Sequence, residues 1–111
     1  MTFGQFIARA REGANLDQLE LAARIRREDG FPILAAYVDD LEHDRRPPPG
    51  HHVLRQFAEA LQLPLDYLCF LAGHYPQDLR EGEYSPERVQ AAFRAFRLVV
   101  QGHDATPALA S

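Results

Sequence analysis

The side chains with chemistry to offer fall into a few short runs. Two arginine pairs, Arg26-Arg27 and Arg45-Arg46, present rigid forks of N–H donors that fit either phosphate or carboxylate. Arg45 and Arg46 precede Pro47-Pro48-Pro49, and beside so stiff a run they would bind phosphate with little loss of freedom. The competing reading is an ion pair to Asp44 or Glu42. Arg26 and Arg27 carry the same two readings, with Glu28 and Asp29 beside them. His43, His51 and His52 would hold a metal only with further Cys, Asp or Glu at convergent spacing, and none is evident, so the two at 51–52 read as a solvated helix start. Asp39-Asp40 and Asp44 are paired acids with no sign of a surrounding pocket, and Cys69 lies in an apolar run as core. No Gly-rich phosphate loop, His-Glu zinc motif or nucleophile elbow occurs. We expect no enzyme, and no metal, cofactor or small-molecule ligand.

Composition narrows the classes further. At 111 residues and 46% apolar content the chain builds one modest domain with room for an appendage. No apolar run is long enough for a membrane span, no secretory leader is evident at Met1–Gln5, and the lone Cys69 fits a reducing compartment, so the expected location is cytoplasmic. The net charge of −4 argues against a partner held by bulk positive charge. Residues 1–50 hold seven Arg against nine acids and residues 51–111 five against seven, so neither half is basic. Any attraction for phosphate must be local.

The elements that position these groups are helices. Apolar residues recur at three- and four-residue intervals throughout, and no strand is expected. A first helix runs from Thr2 to about Glu12, opened by a Thr2/Gln5 capping box and stopped at Gly13, with Phe3, Phe6, Ile7 and Ala10 inward and Arg9 and Arg11 facing elsewhere. A second, capped by Asp17 with Glu20 as reciprocal partner, buries Leu19, Leu21, Ala22 and Ile25 and ends near Arg26 or Arg27; Gln18 is its first exposed position. Glu28–Pro32 is a turn, with Gly30 supplying positive φ and Pro32 opening a third helix that runs to His43 and buries Ile33, Tyr37, Val38 and Leu41. Residues 45–50 form a stiff connector. A fourth helix spans 51–62. A fifth, opened by Pro64 and apolar nearly all round, sits at the centre of the core and ends at Gly73. Tyr75–Leu79 is an ordered loop or a single turn. Ser85-Pro86 starts a last helix that closes at Gln101-Gly102, with Val89, Phe93, Phe96 and Val100 on one stripe. That stripe either folds back on the domain or pairs with the same helix of a second chain. His103 to Ser111 reads as a flexible tail.

A short helix pair whose second member has a free face is a shape that can enter a DNA major groove. The runs Leu16-Asp17-Gln18-Leu19-Glu20-Leu21-Ala22, Tyr37-Val38-Asp39-Asp40-Leu41-Glu42 and Arg45-Arg46-Pro47-Pro48, followed by Leu54 to Gly73, resemble the phage-repressor-type (Xre-like, lambda-repressor-like) helix-turn-helix family over residues 2–79. The resemblance implies an all-α, five-helix DNA-binding domain, with the last helix as an added amphipathic, dimerising element. It implies a homodimeric transcription regulator whose partner is double-stranded DNA. Gln18 would touch a phosphate or base edge; Arg26, Arg27, Arg45 and Arg46 would hold backbone; and Leu34, Ala35, Ala36 and Asp39 would face the bases.

Two departures matter. The stretch between Ala22 and Tyr37 is several residues longer than the family's, which should lengthen the turn and build a wing near the backbone. Leu34-Ala35-Ala36 stands where relatives place polar residues, so these positions would meet only thymine methyls or groove shape. This last feature, with the acidic balance, supports an alternative: a module that keeps the fold and meets a protein rather than DNA.

Overall fold

The computed structural model describes residues 1–102, and the expected tail at 103–111 lies outside them. The chain divides into two compact units, Met1–Arg80 and Glu81–Ser111. Among the described residues it is all-helical, with seven helices and a single isolated β-bridge. None of those helices is long and apolar enough to cross a membrane.

In the first unit, α1 (Phe3–Gly13) carries the capping box read from sequence: Gln5 N donates to Thr2 Oγ1 and Thr2 N to Gln5 Oε1. Phe3 and Ile7 are buried and Phe6 and Ala10 pack at the edge of the core. The helix is stopped by Asn15, whose φ of 58° turns the chain into the left-handed region, rather than by Gly13. α2 (Gln18–Ala23) has the expected Asp17/Glu20 box but spans only six residues. It ends short of Arg26 because Ile25 has a partner outside the helix. The Ile33 N–H donates to the Ile25 carbonyl at 3.0 Å, Arg27 N to Phe31 O at 2.7 Å, and Arg26 and Pro32 form an antiparallel bridge. The insertion is therefore a small hairpin. Gly30 supplies its turn with φ 91°, and β-branched Ile25 and Ile33 sink from its base into the core.

Pro32 consequently lies in extended backbone and opens no helix. α3 (Ala35–Glu42) starts three residues later with Leu34 as N-cap. Buried Val38 and Leu41 face α1 and α2, and Tyr37 is half-buried. Leu19, expected inside, is 69% exposed, because a six-residue helix turns only the Leu21–Ala22 side to its neighbours.

α4 (His51–Leu61) buries Leu54, Phe57, Ala58 and Leu61. α5 (Leu65–Ala72) packs on α4 and α1 through Leu68 and Cys69, while Tyr67 and Phe70 face solvent; it is one wall of the core and not its centre. α6 (Gln77–Arg80) is a single turn, one of the two forms expected for Tyr75–Leu79. Each fully buried Leu, Ile or Phe here contributes about 2–3 kcal/mol of transfer free energy.

Cys69 is 1% exposed, and burial pushes its thiol up from the ordinary value. Its reaction with a thiol reagent at pH 8 should run more than about a hundredfold slower in the folded protein than in denaturant, because α5 must open first. Equal rates would contradict the packing of α5.

The second unit contains α7 (Pro86–Val100), begun by the Ser85 cap and Pro86 as expected; Ser85 Oγ accepts from Arg88 N at 3.2 Å. No residue of α7 is buried: Val89, Phe96 and Val100 are exposed and Phe93 is half-buried. The Arg97 guanidinium lies 5.8 Å from the centre of the Phe93 ring.

Candidate nucleic-acid interface

The polar groups singled out in the sequence gather along α3. Its first turn presents Leu34, 68% exposed, and Ala36, with Ala35 half-buried between them. Toward its end stand Asp39 and Asp40. Asp39 receives groups from three directions. Gln18, the first residue of α2, donates from Nε2 to Asp39 Oδ1 at 2.9 Å; Arg45 pairs with the other carboxylate oxygen; and His43 Nδ1 lies 3.2 Å from Oδ1. The Gln18 hydrogen bond, reinforced by Arg45 and His43, holds the Asp39 carboxyl below the usual carboxylate range.

Arg45 also donates from Nε to Asp40 Oδ1 at 2.9 Å. Arg46 sits 3.8 Å from Asp40 Oδ2 and 5.8 Å over the Tyr37 ring. Burial pushes the Tyr37 hydroxyl up, against the lowering effect of Arg46.

The ion-pair partners of Arg45 and Arg46 are thus Asp39 and Asp40, not Asp44 or Glu42. The backbone decides this. Asp44 adopts φ 56° and Arg45 N donates to Asp40 O at 2.8 Å, which folds the exit loop back along α3. Asp44 is used elsewhere, accepting from Thr2 Oγ1 at 2.7 Å and Gly4 N at 3.2 Å at the start of α1. Glu42 is used in the interior. Arg11 donates to it from Nε at 2.6 Å and Nη2 at 3.0 Å, and from Nη1 to the Leu16 carbonyl at 2.8 Å. The two side chains are 13% and 3% exposed. Gln18 Nε2 also reaches Glu42 Oε1 at 3.0 Å, so Gln18 is half-buried and engaged rather than freely exposed.

The hairpin separates the other arginine pair. Arg27 is paired to Asp29, which also accepts from Phe31 N at 3.1 Å; Arg27 first, then that backbone bond, hold the Asp29 carboxyl low. Arg26 has no carboxylate partner among the described residues, and its guanidinium reaches only the Gly30 carbonyl at 3.4 Å. Its backbone is pinned by Gln56 of α4, which accepts from Arg26 N at 2.7 Å and donates to Arg26 O at 2.8 Å. Gln56 here does the work of a neighbouring strand. His51 and His52 are half-buried rather than solvated, and His52 Nε2 has no hydrogen-bond partner among the described residues.

Sequence reasoning missed Arg11, Glu42 and Gln56 as organising groups. Arg11 lay off the apolar stripe, and nothing local marks a glutamine whose partner is 30 residues away. Chemically, the face offers the guanidinium donors of Arg45 and Arg46 toward the end of α3, beyond an apolar helix start, while both Nε2 hydrogens of Gln18 are given to Asp39 and Glu42. Exposed ion pairs of the Arg45–Asp40 kind contribute about 0–1 kcal/mol each, so an incoming anion can exchange for the carboxylate. The enclosed Arg11–Glu42 pair cannot exchange in that way. No family model, curated protein or solved structure matches the chain.

Proposed function

We propose that Met1–Arg80 is a helix-turn-helix domain of the Xre-like type that binds double-stranded DNA sequence-specifically and regulates transcription as a homodimer. The observation that carries this reading is the meeting of Gln18 and Arg45 on one carboxylate of α3. Donors from the start of α2 and from the exit loop thereby converge on α3 beyond its outward-facing apolar start. In the bound state α3 lies in the major groove. Leu34 and Ala36 meet thymine methyls, Asp39 faces a cytosine amino group, Gln18, Arg45 and Arg46 hold phosphates, and Arg26 and Arg27 approach the backbone from the hairpin. The α7 stripe of Val89, Phe93, Phe96 and Val100 pairs two chains, setting half-sites about 34 Å apart or a multiple of that.

The test is selection of duplexes from a random pool, followed by a salt titration and the mass of the free protein in solution. Affinity should fall steeply with salt, and Arg45→Ala should make the slope shallower by about one, as expected for one lost phosphate contact. Absence of binding to any pool member at low salt would sink the proposal.

A second reading has its own observation. Leu34 is 68% exposed while the nearby arginines already face carboxylates, leaving α3 apolar at one end and neutralised at the other. A protein partner would suit such a face. Purification that recovers nucleic acid with the chain and no second protein rejects this reading.

A further inference from the structure

We infer that Asp39 and Asp40 set the sequence discrimination of this face by occupying its arginines, so that phosphate alone is a poor ligand. The inference rests on the DNA-binding reading above. Asp40 bridges Arg45 and Arg46, with contacts at 2.9 and 3.8 Å, and Asp39 holds Arg45 together with Gln18. Both carboxylates stand on α3 itself, so they cannot leave the face as a flexible arm could. A phosphate gains Arg45 only by drawing its guanidinium off two carboxylates, exchanging one anionic partner for another.

A duplex without the matching bases in register offers the face little beyond its phosphates, so that exchange gains it little. A cognate duplex adds contacts at the bases. Asp39, freed from Arg45, can there accept from a cytosine amino group. The carboxylates therefore tax non-specific binding more heavily than specific binding, and the quantity they govern is the ratio of the two affinities.

The experiment compares the whole chain with Asp39→Asn, Asp40→Asn and Glu59→Gln on two labelled duplexes. One is an alternating duplex of deoxyadenosine and deoxyuridine, which offers neither a cytosine amino group nor a thymine methyl; the other is a duplex selected by the wild-type protein. Glu59→Gln makes the same change in net charge at an exposed carboxylate of α4 that pairs with no arginine among the described residues and lies outside the proposed interface. Asp40→Asn leaves the Gln18 contact intact, so it keeps the test open if Asp39→Asn unfolds; helical circular dichroism monitors both.

Asp40→Asn should bind the deoxyadenosine–deoxyuridine duplex about tenfold more tightly than wild type, with a salt slope steeper by about one. Its gain on the selected duplex should be smaller, so the ratio falls, and Glu59→Gln should change neither. An unaltered ratio in both Asn variants, or an equal gain from Glu59→Gln, overturns the inference while leaving DNA binding intact. If the wild type and every variant bind neither duplex, the DNA-binding reading falls and takes the inference with it.

Discussion

Arg11→Ala is expected to lower the unfolding free energy of the first unit by about 3–5 kcal/mol, the range for removing one partner of an enclosed ion pair. Glu42 loses its arginine in a site where its side chain is 3% exposed, and Gln18 is left as its one remaining side-chain donor. The Leu16 carbonyl loses its guanidinium partner in the same step. Against a total of about 5–15 kcal/mol for a small domain, this approaches unfolding at room temperature. Urea denaturation followed by circular dichroism measures it. The double variant Arg11→Met/Glu42→Leu should recover most of the loss, because the main cost is an orphaned charge and not a missing attraction. A loss below about 1 kcal/mol for Arg11→Ala would mean that the pair behaves as an exposed one.

This buried pair marks the boundary between what the residues announce and what they conceal. Both capping boxes were legible, because Thr2–Gln5 and Asp17–Glu20 are hydrogen bonds between neighbours in the chain. The all-helical class followed from apolar spacing for the same local reason. The end of α2 was not legible. Up to Ile25 the pattern is that of a continuing helix, and the bond that stops it comes from Ile33 across an inserted turn, with Gln56 bracing Arg26 from α4. A helix-compatible Pro32 was overridden by the same pairing.

Within the candidate site, the residue types were readable and their partners were not. Asp39, Asp40, Arg45 and Arg46 were all visible as charges near one helix end. The positive φ at Asp44 turns the loop back onto α3, and that reversal decides which carboxylates meet which arginines. Glu42 and Asp44, the nearest acids in sequence, are spent on α1. The charges thereby sort by burial: Arg11–Glu42 fixes the architecture, whereas Arg45 and Arg46 keep pairs that solvent, salt or a phosphate can open.

Gly4→Ala should destabilise the protein by about 2–3 kcal/mol, although Ala is the better helix former by about 1 kcal/mol and a reading of α1 alone gives the opposite sign. Gly4 is buried where the start of α1 meets the end of α3. A Cβ there would overlap the Leu41 carbonyl oxygen and lie 2.6 Å from Asp44 Oδ1 and 2.8 Å from the Glu42 carbonyl oxygen. Two of these are backbone atoms in the last turn of α3, which cannot rotate away, so the helices must separate. Separation stretches the Gly4 and Thr2 bonds to Asp44, the residue whose turn holds Arg45 and Arg46 against α3. The melting midpoint should therefore fall by roughly 10–20 °C. Gly13→Ala, where a Cβ meets nothing within 4 Å, should raise it slightly, since Ala restricts the unfolded chain and fits the last turn of the helix. If both substitutions raise the midpoint, α1 does not approach α3 closely at Gly4, and the anchoring of the arginine loop through Asp44 fails with it.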